Sequence, residues 1–162
     1  MDKFDEAGTI NPLCTRGLEM DELEELREAI KAGDYGQALA IIDELDEMSR
    51  SDKINKINSY MRVLLIHMIK ASAEQRLTKS WRTSIDIALR QIARTNKRSQ
   101  SGGYYLNEDG LAEELADAWT DAIRLAALEA FEGIYEAEEL ADMVSREAIL
   151  TDALERIRSA QG

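Results

Sequence analysis

The chain is predicted to be all-α, a single bundle of five to seven helices around a central buried helix at about residues 52–75. Three observations predict it. Helix formers such as Ala, Leu, Glu, Arg and Ile dominate its 162 residues and only one proline interrupts them. Apolar side chains recur at helical spacing in segment after segment, with no sustained alternation of the kind a strand would show. Hydrophobic residues make up 44% of the chain, enough to close one core without help from disulfides or metals.

Residues 1–17 carry Gly8, Pro12 and Gly17 without apolar periodicity. They are expected to form a poorly ordered arm that docks through Phe4, Ile10 and Leu13, with one helical domain over residues 18–162. Asp21 followed by Glu24 has the form of a capping box, Leu23, Leu26 and Ile30 keep helical spacing, and Gly33 supplies a left-handed stop. Asp34 can cap a second helix striped by Tyr35, Ala38, Ile41, Ile42 and Leu45, which the polar run Ser49-Arg50-Ser51-Asp52 is expected to end. A third begins there and runs into the seventies through Ile54, Ile57, Met61, Leu64, Leu65 and Met68. Val63, Ile66 and Ile69 make it apolar almost all round, so residues 61–69 are expected to be enclosed at the centre of the core.

The chain turns near Leu77-Thr78-Lys79, and Trp81, Ile85, Ala88, Leu89 and Ile92 define a fourth helix. Its opposite face carries Arg82, Asp86, Arg90, Arg94 and Lys97. The stretch from Ser99 to Gly110, rich in Ser, Gly, Asn and Asp, is the clearest loop. A fifth helix follows from about Leu111 to Glu132, its small residues Ala118, Ala122, Ala126 and Ala130 permitting close packing, and Gly133 stops it. Leu140, Met143, Ile149, Leu150, Ala153, Leu154 and Ile157 continue the helical spacing, with a bend near Ser145.

Charge is unevenly distributed: net −10 over residues 1–49, +9 over 50–98 and −11 over 99–162, for a total of −12. Two readings follow. In a bundle, acidic helices beside basic ones neutralise them along the seams, each exposed pair contributing at most about 1 kcal/mol. Alternatively Arg82, Arg90, Arg94, Lys97 and Arg98 form an open anion-binding stripe for nucleic acid or an acidic protein.

Several chemistries are excluded by inventory. One histidine and one cysteine cannot build a His or Cys metal site or an intramolecular disulfide. A di-iron bundle needs a Glu three residues before each ligating His, and Leu64 stands there before His67. Nucleophile elbows, Walker loops and dinucleotide-binding glycine motifs are absent, so no cofactor is expected. The lone Cys14 fits a reducing cytoplasm and reads as a bystander. The longest aliphatic run, Val63 to Ile66, is far below the roughly 20 residues of a membrane helix, so no membrane partner is expected.

His67 is the one side chain that titrates near neutral pH without a large shift. It reads first as a hydrogen-bonded packing residue. If it acts on a ligand, its expected neighbours are Lys70, Trp81, Arg82 and Asp121, with Asp121 orienting the imidazole and Arg82 holding an anion. Trp81 and Trp119 occupy apolar helix positions and read as anchors, with base stacking as the alternative for Trp81. Tyr104 and Tyr105 stand in a polar loop and either fold back over the core or meet a partner.

Three stretches carry a family resemblance: Ile42 to Ser51 (IDELDEMSRS), Met61 to Lys70 (MRVLLIHMIK) and Ser80 to Ile85 (SWRTSI). In that order and spacing, with Asp121 to Ala127 further on, they resemble the bacterial family called domain of unknown function 29, over roughly residues 38–130. The resemblance implies an all-helical bacterial cytoplasmic protein and no catalytic residue. Departures are Ala71, the Gly102-Gly103-Tyr104-Tyr105 loop and the helical region after Gly133. The expectation for function is a non-catalytic protein interaction or regulatory module, as a homodimer or with another protein, displaying an apolar and aromatic patch from the 99–110 loop and the last helical region. Nucleic-acid binding through the basic helix and a small-ligand or enzyme site at His67 are the alternatives.

Overall fold

The structure is a computed structural model that describes residues 12–98 and 102–162. Phe4 and Ile10 of the expected arm lie outside the described residues, as do the side chains of Leu13 and Cys14. The described part is 84% helical, with six α-helices and no strand, as the composition and spacing predict. The helices are α1 (Pro12–Lys31), α2 (Tyr35–Glu74), α3 (Lys79–Asn96), α4 (Glu108–Glu129), α5 (Ala137–Asp142) and α6 (Arg146–Gln161), with a 3₁₀ turn at Ala130–Gly133 between α4 and α5. Among the described residues no helix is long and apolar enough to cross a membrane.

The chain divides into two compact units, Met1–Arg50 and Ser51–Gly162. The first is a helical hairpin. Gly33, at φ +74°, lets the chain reverse, while the Gly33 and Asp34 amides bond back to Ile30 and Ala29. Asp34 then accepts the Gln37 amide at 3.1 Å to start α2. Ala29, Ala38 and Ile41 are buried, and Leu26 and Leu45 half-buried, along the hairpin seam.

The polar run at residues 49–52 does not end a helix, because α2 continues through it to Glu74. Ser, Arg and Asp each cost only a few tenths of a kcal/mol in a helix interior, and neither Gly nor Pro is present to stop propagation. Two expected helices are therefore one.

In the second unit, Ile57, Met61, Leu64, Leu65, Met68 and Ile69 of α2 form the centre of the core against Ile85, Ala88 and Ile92 of α3 and Leu115, Ala118, Ala122 and Ala126 of α4. Burying a single Leu or Ile here contributes about 2 kcal/mol. Enclosure is incomplete: Val63 is 40% exposed and Ile66 half-buried, so one side of the apolar stretch faces outward. The pairs Asn58–Glu114, Arg62–Asp121 and Lys70–Glu129 advance in step along both helices, which sets α2 and α4 side by side and parallel. The last helix closes the bundle. Asn96 at the end of α3 reaches Gln161 at the end of α6, and Glu108 at the start of α4 pairs with Arg158 of α6.

Caps explain the boundaries. Thr78, Asn107 and Ser145 each accept a backbone N–H from the first turn of α3, α4 and α6, and Glu136 with Glu139 forms a reciprocal capping box on α5.

Candidate functional site

Alpha2 ends beside the 3₁₀ turn, and that junction gathers most of the second unit's unusual chemistry. Lys70, on the last turns of α2, is only 6% exposed. A buried ammonium must be compensated, and two groups do so. Glu129 Oε2 accepts from its Nζ at 3.0 Å, and the Trp81 ring at the start of α3 lies under it with the ring centre 4.6 Å away. Arg76 shares that indole, its Cζ 5.0 Å from the ring centre, and donates to Glu74 Oε1 at 3.1 Å from Nε. The Glu74 side chain is 12% exposed, and its second oxygen accepts the Phe131 amide at 3.4 Å. These residues, with Glu132 and Ile134, line a cleft of about 440 Å³.

Backbone strain coincides with the cleft. Among the described residues, three non-glycines have positive φ: Gln75 at 56°, Phe131 at 50° and Glu132 at 60°. Gln75 sits between Glu74 and Arg76, and the other two form the opposite wall. Left-handed geometry at a non-glycine costs about 1–3 kcal/mol, most for a bulky residue such as Phe131, and recurs at ligand sites. Gly133, at φ +78°, completes the turn where a Cβ would meet the Leu128 carbonyl oxygen at 2.8 Å.

His67 lies one turn before Lys70 on α2 and is half-buried. Desolvation pushes its pKa below the ordinary 6.5, the Lys70 charge adds to the shift, and Glu129 opposes it. Burial and the Lys70 charge thus both favour the neutral imidazole. Its Nδ1 is buried and has no hydrogen-bond partner among the described residues.

Of the cluster drawn from the sequence, the structure stacks Lys70 on Trp81 and leaves His67 one turn from Lys70, close enough to feel its charge, with no contact to Trp81 among the described residues. Arg82 is exposed on the outer face of α3, and Asp121 faces Arg62 at 3.8 Å with 61% of its side chain exposed. The carboxylate whose charge reaches His67 is Glu129. Sequence reasoning missed Glu74, Arg76, Glu129 and the Phe131–Glu132 wall. Their only signal was that buried Lys70 would need a carboxylate partner, and nothing in the sequence chose Glu129 among 32 acids.

Two surfaces complete the inventory. Arg82, Arg90, Arg94 and Lys97 are all exposed, and among the described residues none makes an ion pair within 4.0 Å. Arg98 instead stacks on Tyr105 at 5.6 Å. On the hairpin, Tyr35, Leu39 and Ile42 are 67%, 60% and 44% exposed. The hairpin also carries a groove of about 700 Å³ lined by Asp21, Glu24, Glu25, Glu28 and Asp34, with none of these three apolar residues in its lining. Among the described residues no group of His, Cys, Asp and Glu is arranged to hold a metal ion.

A family model described as a domain of unknown function, DUF29, matches residues 23–151, most of both units. The chain belongs to the DUF29 family. The match extends the resemblance read from residues 38–130 to the C-terminal part of α1 and to the first turns of α6, and it contains every residue of the cleft. No curated protein and no solved structure matches this DUF29 chain.

Proposed function

We propose that the protein is a non-catalytic interaction module whose acidic hairpin receives a cationic amphipathic helix of a partner protein. The observation that carries this reading is the uncovered apolar row Tyr35, Leu39 and Ile42, spaced i, i+4, i+7 on α2 and echoed by exposed Leu23 and Ile30 on α1. Helix-in-groove recognition uses such a row for affinity. Residues 21–50 carry 10 acidic and 3 basic side chains, so a second copy of the hairpin would be repelled and a basic partner attracted. The loop expected to carry the contact is a weaker candidate: Asn96 bonds both the amide and the carbonyl of Leu106, and the Tyr104 hydroxyl donates to the Gln161 carbonyl at 3.4 Å. The reading sets the module in a bacterial cytoplasm, on the single cysteine and the family resemblance.

The test uses a fluorescent Lys/Leu amphipathic peptide of about 20 residues. The double variant Leu39→Ser, Ile42→Ser keeps every charge, and its affinity is expected to fall about tenfold or more relative to the parent chain. Equal affinity for both proteins would leave only charge attraction and end the proposal.

A second reading, polyanion binding by α3, is favoured by the exposed Arg82, Arg90, Arg94 and Lys97, which have no ion-pair partner among the described residues. It predicts retardation of labelled single strands at about 50 mM salt that fades by about 200 mM, and no retardation at the lower salt removes it.

A further inference from the structure

The cleft at the α2–α4 junction has a charge pattern that a plain structural ion pair does not need. Lys70 commits one of its three N–H donors to a described residue, and the remaining two have no acceptor among the described residues. Arg76 meets Glu74 through Nε and Nη2, so its Nη1 is not engaged there. Two cations thus converge on one indole with donors to spare. A simple anion would use those donors, yet it would sit against Glu74, Glu129 and Glu132, which line the same space. A simple amine would meet Lys70 and Arg76. A molecule carrying both charges satisfies the two sets at once. Phe131 and Ile134, the latter 71% exposed, add an apolar wall at the rim.

We propose that the cleft formed by Lys70, Arg76, Trp81, Glu129 and Phe131–Ile134 binds an α-amino acid with an apolar side chain. The carboxylate meets Lys70 and Arg76, the ammonium meets Glu129 and Glu132, and the side chain lies along Phe131 and Ile134. A volume of about 440 Å³ suits a ligand of this size, toward the lower end of the range for small-molecule sites. The left-handed turn through Phe131 and Glu132 is what presents that wall to α2. This site is independent of the hairpin reading, since all its residues belong to the second unit.

The experiment follows the Trp81 indole N–H resonance of the full ¹⁵N-labelled chain, identified by its loss in Trp81→Phe, during titration with L-leucine, L-phenylalanine, acetate and methylamine. One of the two amino acids is expected to shift it saturably at about millimolar concentration or below, with acetate and methylamine at least about tenfold weaker. No shift with either amino acid, or acetate matching the better of them, overturns the proposal. Lys70→Met is expected to abolish the shift. Should that variant fail to fold, Arg76→Ala, at an exposed position, decides: binding weakened about tenfold supports the site and unchanged binding overturns it. Arg124→Ala, outside the cleft, is expected to bind as the parent does.

Discussion

Lys70 and Glu129 lie 3.0 Å apart on parallel helices, and they are unequally placed, the ammonium side chain 7% exposed and the carboxylate 56%. The asymmetry predicts unequal mutants. Glu129→Gln strands a buried charge and is expected to cost about 1–3 kcal/mol, discounted from a fully buried pair because Glu129 is wet. Lys70→Met removes the charge and keeps the apolar stem, so it is expected to cost less than Glu129→Gln. Urea unfolding of both singles and the double measures this; a double no more stable than Glu129→Gln alone would show that the stranded ammonium is not the cause.

His67 makes stability pH-dependent with a definite sign. Its folded-state pKa is below the unfolded value of 6.5, so the unfolded chain binds more protons as pH falls below that value. The contribution is fully present above 6.5 and is lost as pH drops through the folded pKa. The melting temperature is therefore expected to fall from pH 7.5 to pH 5.5 more steeply in the parent than in His67→Gln. Parallel melting curves would mean that the burial of the imidazole has no thermodynamic weight.

Helix identity was legible because it depends on local chemistry: Asp34, Gly33 and Ser145 are each where the caps and stops were read, whereas α4 ends at Glu129, before the Gly133 read as its stop, because the chain tightens into the 3₁₀ turn first. Continuity across residues 49–52 was not legible, since a polar run resembles a break unless neighbouring packing carries the helix through. The cleft was half legible. Lys70 and Trp81 could be named from helix faces, whereas Glu129 depends on the register of α2 against α4, which no local pattern encodes. The left-handed turn at Phe131 and Glu132 was invisible for a stronger reason: neither residue type prefers that geometry, so only the surrounding structure imposes it.

Asn96 is fully buried and holds the loop to two helices. Its Nδ2 donates to the Leu106 carbonyl at 3.0 Å and to Gln161 Oε1 at 2.8 Å, and its Oδ1 accepts the Leu106 amide at 2.8 Å. Asn96→Ala leaves the Leu106 amide and carbonyl buried without partners and is expected to cost about 2–4 kcal/mol. Hydrogen exchange should show the Leu106 amide losing protection in that variant before the core of α2 does; protection lost in both together would make the loop part of the global unfolding unit.

Gly133 and Gly102 separate backbone strain from crowding. Both have positive φ, +78° and +71°, so alanine at either pays the left-handed penalty of about 1 kcal/mol. At Gly102 a Cβ meets nothing within 4 Å, while at Gly133 it would lie 2.8 Å from the Leu128 carbonyl oxygen, a backbone atom that cannot rotate away. Gly133→Ala must therefore move the turn or α4 itself. It is expected to cost at least about 1 kcal/mol more than Gly102→Ala. Because the displaced turn carries the Phe131 and Glu132 wall, Gly133→Ala should also shift the Trp81 indole resonance, which Gly102→Ala should leave in place. Equal stabilities with an unmoved Trp81 signal in both would show that the turn relaxes without disturbing the cleft.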